Sequence, residues 1–286
     1  MKKEFDPATV SGKRSAVNRR FKSNPKLEAL NQFADWMVYE LPPGPPVIPM
    51  RVYVNLHKGG MAFYILALMV YYDNFTLASY AYLLMHGSYG FFWLLKDFVF
   101  PDPNFGRLVT VSSFLMPWPI ALIPYMMPAF WIVSERVEVS VERAFCCIGL
   151  YMFGVVIMLL TDAQKYLVLR EKRGLITHAM MGWSRNMNYC GEITLYAAFG
   201  LLSPRWEIWF VYSYMWGLVF VIRMLAKDYS LSRKDGWRDY YEQTWMLLPK
   251  LFNSNIASYL IYIALVFAGW FTYSHGGIEQ TLKMLL

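Results

Sequence analysis

The strongest constraint on this chain is a series of apolar runs, several close to or above the ~18 residues that carry a helix across ~30 Å of hydrocarbon, separated by short polar turns. Hydrocarbon offers no water to backbone N–H and C=O groups, so such runs fold as helices that satisfy their own backbone. They fall at about residues 59–72, 75–98, 108–133 and 144–160, then from the polar stretch 182–192 to about 202, and at 206–224 and 256–273. The expected fold is all-α, a polytopic membrane helical bundle of about seven transmembrane helices behind a polar and amphipathic N-terminal tail. Composition agrees, since 57% hydrophobic and 16% charged residues is too apolar for an ordinary soluble domain of this length.

Individual runs carry local expectations. The first is short for a crossing and is broken by Asp73-Asn74. The third holds Pro117, Pro119, Pro124 and Pro128, which remove backbone donors and predict a kinked helix or two half-helices. The fourth should continue as helix through Thr161 to Arg170 and end at Glu171-Lys172-Arg173-Gly174.

Residues 1–58 form a separate basic tail, and 59–286 the transmembrane domain. The tail lacks the apolar core of a signal peptide and carries Lys2, Lys3, Lys13, Arg14, Arg19, Arg20, Lys22 and Lys26. Within it Leu27, Leu30, Phe33, Trp36 and Met37 recur at near-helical spacing, the pattern of an amphipathic surface helix. A proline-rich run at 42–46 ends that helix, and 47–56 is expected to be extended. The tail is expected to lie against a membrane surface or a partner, which makes a larger membrane protein complex a candidate association.

Charge sets orientation. The tail, the 96–107 turn, the 165–185 loop and the 227–250 segment are basic, which places them, with the N-terminus, on the cytoplasmic or matrix side. The membrane would be the endoplasmic reticulum or the mitochondrial inner membrane. The net charge of +7 arises in these segments, and no basic helix interleaved with stacking aromatics suggests nucleic acid. Cys146, Cys147 and Cys190 give neither a disulfide framework nor a metal-ligand spacing, so no metal is expected.

Two polar groupings interrupt the apolar pattern. His86 and Tyr89, in His-Gly-Ser-Tyr-Gly, place a titratable ring beside a phenol inside the second run and are candidate proton donors; a His bonded to a neighbouring helix is the alternative. Lys96 and Asp97 read as an interfacial anchor pair. The 182–192 stretch, Gly-Trp-Ser-Arg-Asn-Met-Asn-Tyr-Cys-Gly-Glu, packs Arg185, Asn186, Asn188 and Glu192 into the mouth of a helix. Such a cluster needs polar partners or a polar ligand.

Three ordered pieces between 144 and 252 resemble the steroid 5α-reductase and sterol C14-reductase superfamily. Thr161-Asp162-Ala163-Gln164-Lys165 with Arg170 is similar to its Asp-x-x-Lys helix end. Arg185-Asn186-Met187-Asn188-Tyr189-Cys190-Gly191-Glu192 resembles its Arg-His-x-Asn-Tyr-x-Gly-(Glu/Asp). Asp228, then Gly236-Trp237 to Tyr240 and Leu248-Pro249, resemble its C-terminal signature. The resemblance implies an NADPH site facing the cytoplasm or matrix and reduction of a carbon–carbon double bond in a sterol or fatty-acyl membrane lipid. It places Asp162, Lys165, Arg170, Arg185, Asn188, Tyr189, Glu192, Asp228 and Tyr240 around the cofactor.

This chain departs from the family at Asn186, where a His is expected, at Met180-Met181, and at Asp235. Those departures keep open a non-catalytic accessory subunit built on the reductase fold. An S-adenosylmethionine-dependent lipid or isoprenylcysteine methyltransferase is a further alternative. Without a ligand, Asp162 could pair with Lys165 and Arg185 with Glu192.

Overall fold

The computed structural model describes residues 25–40, 43–274 and 277–285. The basic positions from Lys2 to Lys22 lie outside the described residues, as do the side chains of Leu27, Leu30 and Met37. In chain order the elements are α1 (Pro25–Tyr39), β1 (Pro46–Pro49), α2 (Arg51–Tyr71), α3 (77–99), β2 (Leu108–Thr110), α4 (Val111–Ser134), α5 (Val141–Glu171), α6 (Met187–Leu201), α7 (Glu207–Leu231), α8 (Trp237–Gln243), α9 (Asn255–Ser274) and α10 (Ile278–Leu285). Among the described residues, four helices are long and apolar enough to cross a membrane: α4, α5, α7 and the 255–272 part of α9.

The helices start where polar caps allow. Ser140 Oγ accepts from the Arg143 N–H at 3.2 Å, and Thr110 Oγ1 from the Ser113 N–H at 3.0 Å, each satisfying a donor that the first turn leaves free. The prolines of α4 neither break it nor split it. Trp118–Leu122 forms a π-turn that absorbs the lost hydrogen bonds, and Pro128 lies within the following helix. Two further boundaries differ from expectation. Of the 47–56 region only 47–49, the end of β1, is strand, and α2 already begins at Arg51. Helix α7 runs to Leu231, beyond the apolar limit near 224.

Strands β1 and β2 form a small antiparallel ladder, Pro46 opposite Thr110 and Pro49 opposite Leu108, which ties the N-terminal segment to the start of α4. Helix α1 packs beside this ladder and the end of α7, with the Arg107 guanidinium 3.6 Å above the buried Tyr39 ring. Phe33 and Trp36 stay exposed.

Glycines let two antiparallel hairpins close. In the α2–α3 pair, a Cβ on Gly90 would sit 2.1 Å from the Lys58 carbonyl oxygen. In the α5–α6 pair, Gly154 and Gly191 face each other so closely that a Cβ on either meets backbone within 2.7 Å. The main core lies between α2 and α7 and is rich in aromatic rings, with Tyr82, Tyr89, Tyr125, Tyr196, Phe199 and Tyr212 packed together. Helix α9 stands apart: only 6% of its apolar window is buried inside the molecule.

Candidate functional site

The α5–α6 crossing decides where the expected site residues go. It lays Gly154 and Met158 of α5 against Gly191 of α6, so that the Asp162 end of α5 runs alongside the start of α6. Arg185 lies ahead of α6, and Asn186 occupies the position before its first residue. Arg185 and Asn188 are therefore not on one helical turn, whereas Asn188 and Glu192 are.

Arg185 is the centre of a closed clamp. Its Nε donates to both Asp228 oxygens, at 3.1 and 3.0 Å, and Nη1 donates to the Thr244 carbonyl at 2.5 Å. The guanidinium also lies 4.4 Å from the Tyr241 ring centroid. The backbone runs alongside: the Arg185 N–H donates to the Trp245 carbonyl at 3.0 Å, and Asn186 Nδ2 to that of Met246 at 2.9 Å. The Tyr240 hydroxyl donates to the Met181 carbonyl at 2.7 Å, and Lys227 Nζ to the Arg185 carbonyl at 2.8 Å. Burial pushes the Tyr240 phenol above its ordinary value, against the opposing pull of Arg185. Three expected cofactor residues, Arg185, Asp228 and Tyr240, thus come together, but as a network that fastens the 237–250 segment to the motif. Arg185 pairs with Asp228 rather than with Glu192.

The α5 residues also have partners on other elements. Asp162 pairs with Lys96 of α3 at 2.6 Å, and Lys165 with Asp102 of the following turn at 2.7 Å. The local Asp162–Lys165 pair does not form, and Asp97 accepts from Asn55 Nδ2 at 2.8 Å. Burial alone would raise the Asp102 carboxyl. The Lys165 charge and hydrogen bond, the Asn104 N–H and the charge of Lys96 together hold it below its ordinary value. Trp93, Lys96, Asp97, Asp102 and Phe105 line a narrow recess between these pairs. Arg170 is exposed in the last turn of α5.

Deeper in the bundle lies a second cluster. The Tyr89 hydroxyl donates to Glu192 Oε1 at 3.4 Å, so a candidate proton donor and a motif carboxylate from distant parts of the chain converge. Lys58 of α2 donates to Tyr89 Oη at 3.1 Å and to Tyr196 Oη at 2.6 Å. His86 belongs to the aromatic packing instead. It stacks on Phe199 at 4.6 Å with Nδ1 3.0 Å from the Tyr82 hydroxyl, and its Nε2 is buried without a partner among the described residues. Asn186 Oδ1 and Asn188 Oδ1 are likewise buried without partners. The Tyr189 ring packs 5.0 Å from Phe220.

Lys58 and Tyr196 were not among the residues expected from sequence. Tyr196 lies one helical turn beyond Glu192 on α6, a spacing that could have marked it. Lys58 stood at the polar edge of the first run, where a lysine ordinarily ends a span. The chain matches no family model and no curated protein.

Proposed function

We propose that this protein is a membrane-embedded, NADPH-dependent reductase of a carbon–carbon double bond in a sterol or fatty-acyl lipid, on the reductase pattern that its motifs resemble. The observation that carries the reading is the contact between Tyr89 and Glu192. It sets a phenolic proton donor against the face of α6 whose Asn188 Oδ1 has no hydrogen-bond partner among the described residues. In this reading Asn188 and Glu192 receive the nicotinamide end, Tyr89 supplies the proton, and Lys165 with the exposed Arg170 faces the phosphates. When bound, NADPH would supply the hydride, and the chain would orient it and exclude water. In this reading α2, α3 and α6 join the four membrane-capable helices as further spans, and the distribution of basic residues in the sequence supports a cytoplasmic or matrix side for the basic turns and the N-terminus.

The test is NADPH titration of the purified protein, read as thermal stability. Wild type should be stabilised in proportion to RT ln(1 + [L]/Kd), and Asn188→Ala should lose the effect. Stability that ignores NADPH across a wide titration sinks the reading.

A second reading is a non-catalytic subunit of a larger membrane assembly. It is favoured by the closed Arg185–Asp228 clamp, which leaves that arginine engaged within the chain, and by the weakly covered α9. Migration of the native-membrane protein as a monomer in mild detergent would dismiss it.

A further inference from the structure

Lys58 lies outside every motif of the reductase resemblance, yet its ammonium stands at the meeting point of the inner cluster. It donates to two fully buried phenols, Tyr196 at 2.6 Å and Tyr89 at 3.1 Å, and lies 4.4 Å from the Tyr89 ring centroid. Tyr89 in turn donates to Glu192 at 3.4 Å. Ammonium, phenol and carboxylate therefore form a connected line across α2, α3 and α6. A carboxylate withdrawn from water reverts to the acid unless a positive charge faces it. The nearby Lys96 is already held by Asp162 at 2.6 Å, which leaves Lys58 as the cation committed to this line. A phenol that accepts from an ammonium also parts with its proton more readily, because the phenolate is stabilised where it forms.

We propose that Lys58 is a positioning residue of this site: its ammonium directs the Tyr89 hydroxyl at Glu192, keeps Glu192 ionised, and replaces the proton that Tyr89 gives away. The last of these rests on the reductase reading: NADPH, when bound, would supply the hydride to one carbon of an electron-poor double bond, the Tyr89 proton would go to the other carbon, and Lys58 would return a proton to the phenolate and recover its own from water.

The test is infrared spectroscopy of the full-length protein in lipid nanodiscs, isotope-labelled at the glutamate carboxyl. Lys58→Met and Lys58→Gln should each gain the carbonyl band of one protonated carboxylic acid at neutral pH. The band should be absent from wild type and Lys58→Arg, and should vanish when Glu192→Gln is added to either neutral variant. Lost packing alone would not give a band that Lys58→Arg suppresses. No new band in whichever neutral variant folds, or a band that survives Glu192→Gln, overturns the proposal. NADPH titration of the same samples judges the reductase reading separately, since the infrared result does not depend on cofactor binding.

Discussion

Asp228→Ala removes the counter-ion from a guanidinium that is almost out of solvent. The side chains of Arg185 and Asp228 are 6% and 4% exposed, and Nε contacts both carboxylate oxygens at 3.0 to 3.1 Å. Breaking a buried pair by removing one partner costs about 3–5 kcal/mol. The stranded guanidinium keeps the Thr244 carbonyl at 2.5 Å and the Tyr241 ring at 4.4 Å, which draws the expected loss to the lower end, about 3 kcal/mol. Asp228→Asn retains an acceptor without the charge and should lose about half as much. Arg185→Met with Asp228→Leu removes both charges and should return to within ~1 kcal/mol of wild type. Equilibrium unfolding in mixed lipid and dodecyl-sulfate micelles measures all three. Asp228→Ala within ~0.5 kcal/mol of wild type would refute a buried, structurally required pair. A double variant that loses the sum of the two single losses would refute the coupling between them.

The glycine crossing of α5 and α6 predicts that Gly191→Ala is destabilising although alanine is the better helix former. Its Cβ would lie 2.6 Å from the Gly154 carbonyl oxygen and 2.7 Å from the Met158 nitrogen, backbone atoms that no side-chain rotation can move. The helices must part, at about 1–3 kcal/mol for overpacking, against a propensity gain of about 1 kcal/mol. Gly149→Ala on the open side of α5 is the control, and the same unfolding assay should show Gly191→Ala losing more than Gly149→Ala. The Asp102–Lys165 contact predicts a pH dependence. Its carboxyl is lower in the folded protein than its ordinary value of 3.8, so its contribution is fully present above that value. It fades as pH falls through the lower folded value, and thermal stability of wild type minus Asp102→Asn should therefore be constant from neutral pH to about 5 and shrink below about 4. A difference equal at neutral pH and at the lowest pH the fold tolerates would contradict it.

What sequence conveyed, and what it hid, follows from how polar residues sit in the helices. Helix α9 extends from Asn255 to Ser274, almost the expected 256–273, because nearly every side chain on it is apolar and its ends coincide with the change in composition. Helix α2 was expected from residue 59 and begins at Arg51, because Asn55, His57 and Lys58 interrupt the apolar run. Those residues are not at a helix edge. Asn55 bonds Asp97 and accepts from Trp93, His57 lies 3.1 Å from the Leu122 carbonyl, and Lys58 bonds Tyr89 and Tyr196. A polar side chain that faces another helix subtracts from hydropathy as much as one that faces water, so an inward-facing polar stripe makes its own helix look short. The ion pairs were hidden for a related reason. Asp162 and Lys165 are near neighbours in sequence, but Lys96 and Asp102 approach from the α3 side, and that proximity exists only after the hairpins pack. The local periodicity that reveals a helix therefore conceals its long-range charge partners. In this chain the apparent shortness of the first run coincides with the lysine that bonds Tyr89, and in a membrane bundle such a shortfall is itself a pointer toward the polar interior.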